Sequence, residues 1–251
     1  MTHLRFAHLL RPLTMKTRLR WKHVTLATLG AMLIVLCSAS YTLLRTPGWY
    51  DIPDIVPAAR QDVRNNLLSA EQAFTENVRT SRQPFLYHVY QDDVNRWIAM
   101  RREIYPLIDE LAPPELADPM VLFEPGEITL AGRYRKAGMD VVVSLDVNVK
   151  YEADSIVLRA KSLRCGSMRV PIDFVALGLN RPIERKAGAV WPGSPAMHGD
   201  FLTGLRIDSR ATWKNGNFGY RVLNVTVLNG RIDFKIEPLG HQPPKRINDQ
   251  D

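Results

Sequence analysis

After residue 50, the groups best suited to metal or nucleophilic chemistry are His88, His198, His241 and Cys165. The three histidines lie far apart, and none is at ligand spacing from another, so no metal site is expected. His198 and Asp200 are two apart and close to Ser194, the nearest approach to a catalytic triad. That stretch lacks a GxSxG elbow and any strand–turn–helix context, which favours a solvated loop. Cys165 ends an expected strand and reads as a small core residue rather than a nucleophile. There is no phosphate-binding glycine loop. Asp92-Asp93 is better explained as a helix start than as an acid–base pair. Asn224-Val225-Thr226 matches a glycosylation sequon, but its alternation puts it inside a strand. Trp97 and Trp213 read as core or interface anchors before ligand stackers. The expectation is a non-enzyme with no catalytic residue, no metal and no cofactor.

What the sequence does organise is apolar surface. Val63, Leu67, Ala70, Phe74 and Val78 recur at steps of four, three, four and four, one face of an amphipathic helix over 58–79. Val141, Val143, Leu145, Val147 and Val149 alternate with Asp140, Val142, Ser144, Asp146 and Asn148, a strand with one apolar face. If that strand curves around the helix, Val141, Val143, Leu145 and Val147 line an interior that Val63, Leu67 and Phe74 face. Such an interior is either an elongated groove for a lipid or other apolar ligand, or an ordinary filled core. Patterning does not separate the two.

Other elements follow from the same rules. Gln91 to Leu111 reads as a second helix, capped by Asp92 or Asp93, with Val94, Trp97, Ile98, Ile104, Ile108 and Leu111 as buried positions and a kink at Pro106. Strands are expected at 120–124, 127–135, 139–149, 156–165, 205–214, 220–228 and 231–237. Turns fall at Pro125-Gly126, Glu152 to Ser155, Asn215-Gly216 and Asn229-Gly230. The alternation shifts at Leu223-Asn224, which predicts a bulge. A short helix is expected over 172–179, an irregular loop over 181–204, and a disordered tail over 241–251. Helices followed by a meander of six or seven antiparallel strands make the fold class α+β.

The other commanding feature is the uncharged run Val24 to Leu44. As a helix its 21 residues reach about 32 Å, enough to span a bilayer core. The preceding basic tail, residues 1–23, holds Arg5, Arg11, Lys16, Arg18, Arg20 and Lys22 and no acid, which predicts a cytoplasmic N-terminus and an extracytoplasmic remainder. Trp49 and Tyr50 follow in a proline-rich linker, 45–57, as an aromatic pair suited to lipid headgroups. A cleaved signal peptide would have a shorter apolar core. A lipoprotein site at Cys37 would need a small residue where Leu36 stands. Met15 is an alternative start that keeps the topology. An uncleaved membrane anchor is the expectation.

The span also explains the charge. The chain carries +7, of which residues 1–44 supply six. The domain over 58–240 is nearly neutral, which argues against nucleic acid as a partner. Cys37 lies in the span and Cys165 outside it, so they cannot pair.

Two further stretches, Gln91–Ile98 (QDDVNRWI) and Val121–Pro171, carry a resemblance. The order of Asn95 in a helix start, Leu130 with Gly132, a long alternating strand, and Gly166 with Pro171 resembles the YpmS-like membrane-anchored bacterial proteins. The resemblance covers about 80 residues and has no counterpart for the 181–204 loop. It implies a single anchor, one outer domain and similarity to tubular lipid-binding domains, in which a curved sheet wraps a helix. It implies no catalytic residue. The leading expectation is therefore an anchored envelope protein whose outer domain binds lipid non-catalytically. The alternative is an anchored interaction or assembly module with a solid core and no ligand. An envelope hydrolase using His198 is the third.

Overall fold

The computed structural model describes residues 15–104, 115–136, 138–171, 195–213 and 218–241. The chain forms two compact units, Met1–Leu43 and Leu44–Asp251. In the first, α1 (Met15–Leu44) is a continuous helix. It holds the one segment among the described residues long and apolar enough to cross a membrane, Leu26–Leu44. Leu29, Leu33, Ile34 and Leu36 are all more than half exposed.

The second unit mixes helices with antiparallel sheets. A single 3₁₀ turn, Pro57–Ala59, leads into α2 (Arg60–Thr80), where proline sets the first turn without losing a needed N–H. Val63, Leu67, Phe74 and Val78 are buried along one face, as their spacing predicts. Next comes a strand that the sequence reading lacked, β1 (Phe85–Tyr90), whose buried and exposed residues alternate. It runs directly into α3 (Gln91–Ala99) and the short α4 (Arg101–Ile104). Tyr90 occupies the N-cap of α3 without a side-chain cap, so Asp92 and Asp93 do not cap it. They lie in the first turn, where carboxylates favour the helix dipole. The helix breaks at Met100; Pro106, Ile108 and Leu111 lie outside the described residues.

The remaining elements are strands: β2 (Leu116–Glu124), β3 (Glu127–Lys136), β4 (Met139–Glu152), β5 (Ser155–Cys165), β6 (Met168–Val170), β7 (Met197–His198), β8 (Leu205–Asp208), β9 (Arg210–Trp213), β10 (Phe218–Leu228) and β11 (Arg231–His241). They form two sheets where one meander was expected. One has the order β1-β11-β10-β9; the other runs β2-β3-β4-β5-β8-β7, with β6 paired to β5. The expected 205–214 strand divides at Ser209, where the chain crosses from one sheet to the other. Ser209 is 3% exposed; its N–H donates to the Asp154 carbonyl and its own carbonyl accepts from the Val222 N–H. Tyr151 reinforces the crossing by donating from its hydroxyl to the Val222 carbonyl at 2.8 Å.

The bulge at Val222/Asn224 and the Asn229-Gly230 turn occur as predicted, Gly230 at φ +70°. The strands flanking Asn215-Gly216 pair antiparallel, while that turn lies outside the described residues. So do the 172–179 helix, residues 181–194 of the loop and residues 242–251. The start of the expected tail, His241, belongs to β11.

Two corrections concern burial. On β4 the alternating apolar face was expected to be the interior. In the structure Val141, Val143 and Leu145 are only half-buried, whereas Val142, Ser144 and Asp146 opposite them are 3%, 1% and 3% exposed. The cause is coverage. The first core, built on Val121, Phe123, Val149, Val227 and Ile232 and closed by Val94 and Ile98 of α3, joins the two sheets over only one end of β4. The second correction is Tyr50. Only 7% exposed, it packs with Met120, Ala131 and Val142, and Trp49 and Ile52 pack against the same cluster. Its hydroxyl donates to the Asp118 carbonyl, and the Arg133 guanidinium lies 5.9 Å from its ring centre. Burial first, then the Asp118 charge, pushes its pKa up to about 12. An aromatic held this way is core, not headgroup belt.

Candidate functional site

The third core surrounds Phe74, and an open space lies beside it. Phe74 of α2 meets Tyr87, Trp213 and Tyr220 edge to face at 5.0, 4.8 and 5.4 Å between ring centres. These rings come together because β1, β11, β10 and β9 each put alternate residues on the face that α2 covers: Phe85 and Tyr87, Phe234 and Ile236, Phe218 and Tyr220, Trp213. Polar tips are tied back to the helix. Trp213 Nε1 donates to Thr75 Oγ1 at 2.8 Å, and the Tyr87 hydroxyl donates to the Ala70 carbonyl at 3.2 Å. Burial raises the pKa of both Tyr87 and Tyr220.

Toward the other sheet the packing opens into a cavity of about 370 Å³. Its helical wall is Leu67, Ala70, Glu71 and Phe74, with Trp97 from α3. Its sheet wall includes Tyr87, Val89, Ala211, Trp213, Tyr220, Val222, Phe234 and Ile236. Ile156, Ile207, Asp208, Ser209 and Pro195 complete it. The volume falls in the range of small-molecule pockets, and the lining is the apolar and aromatic kind with few polar groups that such pockets have. Trp97 Nε1 is buried and has no hydrogen-bond partner.

Of the residues expected to line an interior, Leu67 and Phe74 do so. Val63 is buried on the same helix face but outside the cavity wall. Val141, Val143, Leu145 and Val147 take no part in it; Val147, at 1% exposure, is closed within the protein. Trp97 and Trp213, read as core anchors, both line the space. The β1, β10 and β11 aromatics were missed, although Phe85-x-Tyr87-x-Val89 and Phe218-x-Tyr220-x-Val222 carry the period-two signal.

The groups first weighed for catalysis are engaged elsewhere. Asp200 accepts from the Leu202 and Thr203 N–H groups and the Thr203 hydroxyl; the Thr203 N–H bond leads in lowering its pKa. His198 is 65% exposed and lies 4.0 Å from Asp208. Ser194 is outside the described residues. Burial raises the Cys165 thiol, which disfavours the thiolate. No three His, Cys, Asp or Glu side chains cluster as a metal site among the described residues.

The resemblance positions have structural work to do. Asn95 donates from Nδ2 to the Val121 carbonyl at 2.9 Å and accepts from the Val121 N–H at 2.8 Å, while Gln91 Oε1 accepts from the Phe123 N–H at 2.7 Å. One turn apart on α3, these amides satisfy the outward backbone groups of β2, an edge strand. Gly132 makes room for Leu116: a Cβ there would lie 2.7 Å from Leu116 Cδ1. Comparison with known proteins adds no relative: no family model, curated protein or solved structure matches the chain.

Proposed function

We propose that this protein is held in a membrane by α1 and that its larger unit binds a lipid or other apolar ligand, without catalysis, in the cavity beside Phe74. The observation that carries the reading is the cavity itself: about 370 Å³ of open space walled by six aromatic side chains. Burying a ligand's apolar surface there contributes about 25 cal/mol per Å². The anchor is supported by the charge-free Leu26–Leu44 segment, exposed along its length, and by the basic residues that precede it. That arrangement favours an extracytoplasmic larger unit at a bacterial plasma membrane. The order of Asn95, Gly132 and Gly166 accords with the resemblance to YpmS-like proteins and through them to tubular lipid-binding domains. The competing reading, an assembly module, draws on the well-packed cores away from the cavity.

The test is to express residues 44–251, keeping Tyr50 in place, and extract the purified unit for lipid mass spectrometry. Co-purified lipid, with saturable uptake of a fluorescent acyl probe bearing an uncharged head, is expected. Absence of both would favour the assembly module.

A further inference from the structure

Natural sheets guard their edges with charge, proline, bulges or a covering segment, because a bare edge pairs with other strands. Here β2 is covered by the Gln91 and Asn95 amides of α3, and β9 is short and begins at an exposed Arg210. β1 has none of these devices. Its sequence, FLYHVY, holds no proline and no ionisable group beyond His88 and the two tyrosines, and it pairs with β11 without a shift of register. The alternation of an antiparallel ladder decides which main-chain groups face out. The Gln91 N–H donates to the Gly230 carbonyl at 2.9 Å, continuing the β1–β11 register. Phe85, Tyr87 and Val89 therefore bond to β11, and Leu86, His88 and Tyr90 turn their main-chain groups outward. The Tyr90 carbonyl serves the first turn of α3. No main-chain partner meets the other outward groups among the described residues. The side chains of the same three residues stand on the face away from α2; Leu86 is 61% and Tyr90 50% exposed, and His88 is tied to Asp233 on β11 at 2.7 Å.

The order Leu86-x-His88-x-Tyr90 is its own complement when two copies run antiparallel. A twofold axis at His88 sets each Leu86 opposite the partner's Tyr90, an aliphatic–aromatic pair of the kind that stabilises sheets. A slip of one residue would oppose outward groups to inward ones. A slip of two would set Tyr90 against the partner's Pro84, which has no N–H, or Leu86 against the partner's Asp92, which is helical. We propose that β1 pairs with β1 of a second copy of this chain, antiparallel about His88, and so joins two four-stranded sheets into one.

The test is oxidative cross-linking of the full chain in detergent micelles, with Cys37→Ser and Cys165→Ser as the background. Opposed residues of a hydrogen-bonded pair lie about 5.5 Å apart at Cα, within the range of about 4.4–6.8 Å that a disulfide spans. The two copies of residue 86, or of residue 90, would lie about 14 Å apart. His88→Cys is expected to form a linked dimer at least tenfold faster than Leu86→Cys or Tyr90→Cys alone. A mixture of the last two variants, which keep His88 and its Asp233 bond, is expected to cross-link at least fivefold faster than either alone. Equal rates at 86, 88 and 90 mark random collision and overturn the pairing. No excess over the single variants, at 88 or in the mixture, overturns the second copy as the occupant, whether β1 stays bare or takes a strand of another protein.

Discussion

Around Asp146 the protein buries a carboxylate that accepts from two hydroxyls and a guanidinium. Around Phe74 it buries rings that meet edge to face and leave space beside them. Asp146, 3% exposed, accepts from Thr129 Oγ1 at 2.8 Å, from Ser162 Oγ, and from Arg164 at 2.8 Å. These bonds run across β3, β4 and β5. The Phe74 cluster is apolar and borders open space. Buried polar groups specify partners one by one, whereas apolar surface is indifferent to what covers it. A site for a lipid belongs to the second kind of region.

Ways to break this comparison rank by size. Phe74→Ala should cost the most, about 3–5 kcal/mol, because a buried ring leaves a void among four aromatic neighbours. Denaturant unfolding would measure the loss, and uptake by the folded fraction should also change. Asp146→Asn should cost about 2–4 kcal/mol by leaving Arg164 without its charge partner, yet uptake per folded molecule should stay at the wild-type level. If both variants alter uptake alike, the two regions are not separate.

The pH dependence sharpens the contrast. Burial alone would raise the Asp146 pKa; the bonds from Ser162, Thr129 and Arg164 outweigh it and hold the group below its usual value. A depressed folded pKa gives stability that is present above the unfolded value, about 3.9, and lost as pH falls through the folded one. Midpoints of unfolding should therefore drop below about pH 4, and Asp146→Asn should flatten that drop. Ala153→Gly is the smallest change. Ala153 sits at φ +48° in the β4–β5 turn, a left-handed conformation costly for alanine, so glycine should add up to about 1 kcal/mol to the unfolding free energy.

The elements were legible where one rule governed them. The Val63–Val78 face, the long strands and the bulge at Asn224 followed from period and alternation alone. What failed depended on which surface covers which. Val141, Val143 and Leu145 alternate well, but the core that joins the two sheets includes only Val149 of that face, a matter of topology and not of spacing. Tyr50 looked like an interfacial aromatic because its pocket comes from Met120, Ala131 and Val142, all more than sixty residues away in the sequence. β1 escaped because its six residues lie between two helices. The cavity draws on both sheets and two helices, so no local pattern could announce it.

The central claim is that the space beside Phe74 is a binding site and not a packing defect. Ala211 lines it on a short strand, and Ala211→Phe would fill it with little strain elsewhere. Uptake of the uncharged fluorescent acyl probe, measured on wild type and Ala211→Phe at equal folded fraction, tests it most directly. The account predicts saturable uptake by wild type and a loss of at least tenfold in the variant, with stability unchanged or slightly raised. Equal uptake by the two proteins would contradict it.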